Sequence, residues 1–130
     1  MSALTEATRA VIWEDGGATF LARIVGADGA DITQASITSG SYKVYDLDSS
    51  TSTTAVATGS ITVNTNVYNE LQTDDRWTED STGYNFAHTI AATVFTTGDH
   101  RYRTEYLFDP ASGEDFWLVY EVYAQPVMTS

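Results

Sequence analysis

At 130 residues, with 42% hydrophobic and 12% aromatic content, the chain is long enough to bury a core and falls in the size range of one globular domain. Its 18 acidic residues against 6 basic ones give a formal net charge of -12, with Lys43 the single lysine, and this argues against nucleic acid or an anionic membrane as partner, since both draw affinity from Lys and Arg. The lack of cysteine excludes disulfides, thiolate metal sites and a cysteine nucleophile.

The opening segment, "MSALTEATRAVIWEDGG", has no basic region followed by an apolar run, so it reads as the start of a soluble protein made in a cytoplasm. Residues 1–17 show no sustained alternation, although "RAVIW" is able to pair as a short strand before the "EDGG" turn. The segment is therefore expected to be an edge strand or an arm that docks on a neighbour. A β domain over residues 18–125 and a C-terminal tail over residues 126–130 complete the division.

In "ATFLARIV", Phe20, Ala22 and Ile24 share one side and Leu21, Arg23 and Val25 the other, and "GADGAD" closes the strand with turn residues. "GSYKVYDLD" sets Tyr42 and Val44 against Lys43 and Tyr45; "SSTSTT" is a polar tip, after which "AVATGSITV" resumes β-type residues. "VYNELQ", residues 67–72, is the best place for a single helical turn. The most regular stretch begins at residue 100. Tyr102, Thr104, Tyr106 and Phe108 face one way with Arg101, Arg103 and Glu105 opposite. After "DPASGED" the return strand sets Phe116, Leu118, Tyr120 and Val122 against Trp117, Val119, Glu121 and Tyr123. This is an antiparallel hairpin on which Arg103 and Glu121 are placed to pair. Pro110 and Pro126 fall between or beyond strands. About seven short strands separated by turns predict an all-β antiparallel sandwich of immunoglobulin-like architecture, without the Cys…Trp…Cys frame of antibody domains.

The chemistry-bearing residues concentrate in "TDDRWTEDSTGYNF", residues 73–86. Asp74, Asp75, Glu79 and Asp80 miss the spacing of a calcium loop. A glycosidase would want two carboxylates with one held protonated beside an aromatic platform, and Trp77 and Tyr84 stand near the acids. The simpler reading is a structural loop: Asp75 or Asp80 caps turns, Arg76 pairs with a neighbouring acid, Trp77 covers the core's end and Gly83 supplies a positive φ. His88, in a strand, and His100, in a turn, lack zinc-site spacing, and no G-x-S-x-G elbow supports a serine triad. No catalytic residue, cofactor or metal is assigned. Trp117, Val119 and Tyr123 make the second face of the last strand too apolar for plain solvent, so Val11, Trp13, Trp77, Trp117 and Tyr123 are the candidate partner-interface residues.

Across "LQTDDRWTEDSTGYNFAHTI" and "YRTEYLFDPASGEDFWLVYEV" the chain resembles small immunoglobulin-like proteins encoded among the virion structural genes of tailed bacteriophages. The likeness spans residues 18–125 and consists of a W-T-x-D-S-T-G-Y-N-F loop, a G-x-x-x-Y corner at "GDHRY" and a closing Y-E-V strand. It implies a non-enzymatic protein of the virion, assembled in the host cytoplasm. The role it implies first is a capsid decoration, or cement, protein bound to the major capsid protein on the head surface and stabilising it. A neck, tail or baseplate component bound to other virion subunits is the alternative, with homo-oligomerisation left open, and Tyr102 would be the corner tyrosine. A reading from a different class is a carbohydrate-binding or adhesive module built on Trp77 and Tyr84.

Overall fold

The computed structural model describes residues 8–26 and 29–127, and for residues 8–10 the backbone alone. Eight strands are seen among them: β1 (Thr8–Trp13), β2 (Ala18–Ala22), β3 (Ile37–Asp46), β4 (Ala55–Ser60), β5 (Val67–Gln72), β6 (Tyr84–Ile90), β7 (His100–Pro110) and β8 (Phe116–Gln125). They form a five-stranded sheet, ordered β1-β8-β7-β3-β4, and a three-stranded sheet, ordered β2-β6-β5. The fold is all-β, and both sheets contribute to one core.

The expectation of antiparallel pairing throughout fails at one place, because β1 runs parallel to β8, with Thr8 opposite Tyr120 and Trp13 opposite Gln125. The cause is the tight turn after Trp13, where Gly16 N–H donates to Trp13 O at 2.9 Å and Asp15 takes a left-handed φ of 59°. Asp15 N–H is held by Phe95 O and Glu14 N–H by Gln125 O, so the turn carries the chain from one sheet to the other. A hairpin between β1 and β2 is thereby ruled out, and β1 takes the open edge of β8 instead.

Alternation in β7 and β8 is as read: Tyr102, Thr104, Tyr106 and Phe108 are buried, as are Phe116, Leu118, Tyr120 and Val122. Rings from the two sheets interlock across the core. Phe20 on β2 lies 4.7 Å from Tyr120, and Phe86 on β6 meets Tyr106 and Phe108 edge-on at 5.1 and 5.3 Å. Buried tyrosines need partners for their hydroxyls. Tyr120 Oη donates to Leu21 O at 3.0 Å, Tyr106 Oη lies 2.7 Å from His88 Nδ1, and Tyr102 Oη accepts from Thr97 N–H at 3.0 Å. Burial drives the Tyr106 and Tyr120 phenols far above the usual tyrosine range, so both stay neutral donors. Thr104, fully buried in the centre of β7, is different: its hydroxyl finds no partner among the described residues.

Three local readings need correction. "VYNELQ" is not a helical turn but β5; the helical turn α1 occupies Val63–Asn66 just before it. Asn66 Oδ1 accepts from Thr62 N–H at 2.9 Å and nucleates that turn, while Val67 goes on to pair with Phe86 in the sheet. Arg103 and Glu121 are opposite in register, yet the Arg103 guanidinium turns along its own strand to Glu105 Oε2 at 2.7 Å. His100 is the first residue of β7 and not part of a turn.

Candidate functional site

Residues 73–83 link β5 to β6, and two of their acids, Asp74 and Asp80, organise the loop. Asp74 Oδ1 accepts from Arg76 N–H at 3.0 Å, and its Oδ2 accepts from the Tyr84 hydroxyl at 2.6 Å and from Arg76 Nη2 at 3.3 Å. Asp80 Oδ1 accepts from Trp77 Nε1, Thr82 N–H and Gly83 N–H at 2.9, 2.9 and 3.1 Å, while its Oδ2 meets Arg23 Nη1 at 2.6 Å. The bond from Tyr84 holds the Asp74 carboxyl below the usual carboxylate range, and the bond from Trp77 with those from the loop amides does the same, more strongly, for Asp80. Both are therefore ionised acceptors. Neither is a protonated acid. Asp74, and not Asp75, is the second turn-capping acid, because Asp74 stands two residues before the Arg76 amide that it binds. Gly83 has φ +107°, and a Cβ there would run into Gln72 O.

Tyr84 is buried at 1% exposure, so its ring is no open platform for a sugar. Trp77 is half-exposed and leans on Tyr84 with ring centroids 5.7 Å apart. It covers the loop end of β6 and is not buried in the core. Between this loop and the edge of β2 lies a groove of about 580 Å³, lined among others by Leu21, Arg23, Trp77, Glu79, Asp80 and Tyr120.

The remaining candidates lie on the outward face of the five-stranded sheet. Val11 is 62% exposed, Trp13 59% and Trp117 48%. Register places Val11 beside Tyr123 and Trp13 beside Gln125 at one end of β8, whereas Trp117 stands beside Leu107 near the other end. Six residues separate Trp117 from Tyr123 in sequence, about 20 Å along a strand. Between them lies a charged belt containing the Arg103–Glu105 ion pair and Glu121. The face thus has two apolar ends and not one stripe, and Trp77 belongs to neither. Three apolar residues of the surface were not singled out in the sequence: Leu107, signalled by its odd position in β7, and the exposed Val56 and Val127, which no pattern marks.

The histidines are both structural in geometry. Desolvation holds the His88 imidazole below the ordinary histidine range as it bonds Tyr106, and His100 Nδ1 lies 2.8 Å from Asp46 Oδ2. One structural residue gave no signal in the sequence. Asn85, buried in β6, accepts from Ile24 N–H at 2.7 Å and donates to the carbonyls of Ile24 and Ile32 at 2.9 and 3.2 Å, pinning the connection between β2 and β3. Among the described residues no group of three or more His, Asp or Glu side chains is arranged to hold a metal ion, and no helix is long and apolar enough to cross a membrane. Compared with known proteins, the chain matches no family model, no curated protein and no solved structure.

Proposed function

We propose that this chain is an immunoglobulin-like, non-enzymatic structural protein of a tailed-bacteriophage virion, bound to the capsid surface as a decoration protein. Strand order supports the fold part of this reading. With β2 taken as the second strand of such a domain, β8-β7-β3-β4 corresponds to the variable-type G-F-C-C′ sheet and β2-β6-β5 to B-E-D. Tyr102 stands near the start of β7, the strand-F equivalent, and its hydroxyl bonds back to the Thr97 amide, as a tyrosine corner does. Thr104, two residues on, takes the place where a disulfide-bonded relative would carry its second cysteine.

The observation that carries the functional part is the set of large apolar side chains left exposed on the five-stranded sheet, Val11, Trp13 and Trp117, on a chain in which Asp74 and Asp80 of the aromatic-rich loop serve as hydrogen-bond acceptors within the fold. Such surfaces mark contact with another macromolecule more often than they mark chemistry. Many copies on a lattice would convert modest individual contacts into firm retention.

The test is quantitative mass spectrometry of purified particles from the source culture. Copies comparable to the major shell protein support decoration of the head. A small fixed number moves the chain to the neck, tail or baseplate, and absence from particles overturns the virion reading.

A further inference from the structure

Residues 49–69 include no Asp, Glu, Lys, Arg or His, in a chain with 18 acidic and 6 basic residues. The stretch runs from the Ser/Thr loop through β4 and α1 into the start of β5. β4 is the last strand of the five-stranded sheet and β5 the last of the three-stranded one. Phe20 on β2 packs over Tyr120 on β8, and Phe86 on β6 over Tyr106 on β7, so these two edges lie on the same side of the sandwich. The charges that bound the stretch are few. Asp48, before it, is ion-paired with Arg101; Glu70, after it, lies on β5 in the other sheet; and Lys43, on β3, is in register with Thr58. Residues 81–98 also lack Asp, Glu, Lys and Arg, but their strand, β6, is paired on both sides.

β4 presents a row of open backbone groups. Ile61 N–H donates to Gly40 O at 3.0 Å, and the register runs unbroken from Ser41–Ser60 to Val44–Ala57. Antiparallel pairing alternates, so Gly59 and Ala57 aim their N–H and C=O at β3, and Thr58 and Ser60 aim theirs at the open edge. The side chains of Val56, Thr58 and Ser60 are exposed. Lysine, proline and charge, which ordinarily blunt such an edge, are missing from Ala55–Ser60, and the one irregularity, at Val56, is confined to one end. The other edges differ. β1 carries Arg9 and β5 carries Glu70, while at β2 the Leu21 carbonyl is already taken by the Tyr120 hydroxyl, beside the Arg23–Asp80 ion pair.

We infer that β4 pairs antiparallel with β4 of a second copy, about a two-fold axis perpendicular to the sheet at Thr58, joining the two five-stranded sheets into one. Charge selects the occupant. Two chains of net charge -12 repel each other, and a two-fold contact duplicates every charge that it contains. The β4 strand brings none. The two Lys43 side chains stand three strand spacings apart, about 14 Å, beyond the Debye length of about 8 Å at physiological salt. Thr58 faces its own counterpart, a favourable cross-strand pair, and Val56 comes opposite Ser60 of the second copy. Val11, Trp13 and Trp117 of both copies then lie on the same side of the joined sheet. The inference goes beyond the virion reading and does not depend on it.

The experiment is sedimentation velocity of the purified full chain from about 1 μM to about 1 mM. Wild type is expected to pass from monomer to dimer, with affinity rising roughly threefold or more between about 50 and 500 mM NaCl as repulsion between the acidic chains is screened. Thr58→Pro is expected to lose about tenfold or more in dimer affinity, with the melt of the monomer unchanged because the Thr58 N–H faces the open edge. Thr58→Glu, which sets like charges on the axis, should lose as much and serves as the second variant should Thr58→Pro melt low. A wild-type chain that stays monomeric throughout overturns the inference. A dimer that survives both substitutions overturns the choice of edge, and one that salt weakens overturns the argument from charge.

Discussion

Thr104→Val should make this protein more stable. Thr104 sits on β7 between Val44 on β3 and Tyr120 on β8, is fully buried, and has a hydroxyl without a partner among the described residues. Leaving such a group unpaired in the interior costs about 1–3 kcal/mol, and valine has nearly the same shape, so no cavity opens and no neighbour has to move. The net gain should be about 1–2 kcal/mol. For a domain of this size that corresponds to a rise in Tm of roughly 4–8 °C. Urea denaturation followed by circular dichroism would show the midpoint shifting upward with the slope unchanged, since the exposed area on unfolding is the same. A midpoint that stays put or falls would refute the reasoning, and would mean that the hydroxyl is satisfied by an ordered water.

Tyr102→Phe should do the opposite, costing about 0.5–1.5 kcal/mol by removing the bond to the Thr97 amide, as read from the same urea titration. Asp80→Asn probes the loop network: the folded pKa of Asp80 lies below its unfolded value of about 3.9, so its contribution is complete above that pH and is lost as pH falls through the folded pKa. Wild type should therefore exceed the variant in Tm at pH 7, with the gap closing below about pH 4; a gap independent of pH would discount the carboxylate. His88 also has a lowered folded pKa, so below about pH 6.5 the unfolded chain binds a proton that the folded chain refuses. Stability should then fall on acidification from pH 7 to 5, and His88→Gln should lose part of that slope.

How much of this was legible beforehand depended on whether local pattern or long-range topology decided each element. The β7–β8 hairpin was plain because each strand is buried on one face and therefore alternates strictly from Tyr102 to Phe108 and from Phe116 to Val122. In β6, Tyr84, Asn85, Phe86 and Ala87 are all buried, because Asn85 faces backbone groups that it must bind, so alternation vanishes. In β5, Val67 and Leu71 stand four apart as on a helix, and a weakly paired edge strand offers little apolar contrast to correct that impression. The loop's role could be guessed from its turn residues, yet the choice of Asp74 over Asp75 depends on backbone geometry. That Val11, Trp13 and Tyr123 gather while Trp77 and Trp117 do not follows from the parallel placement of β1, which no local periodicity encodes.

The parallel pairing of the first strand with the last also fixes how the molecule bears load. If tension pulls outward on Thr8 and on Gln125, the two strands are drawn past each other along their length. The evenly spaced hydrogen bonds of a parallel ladder then resist together, unlike a hairpin, which would peel open one rung at a time. The edge strand that carries Val11 and Trp13 is thus held in shear. Rupture must break several rungs at once.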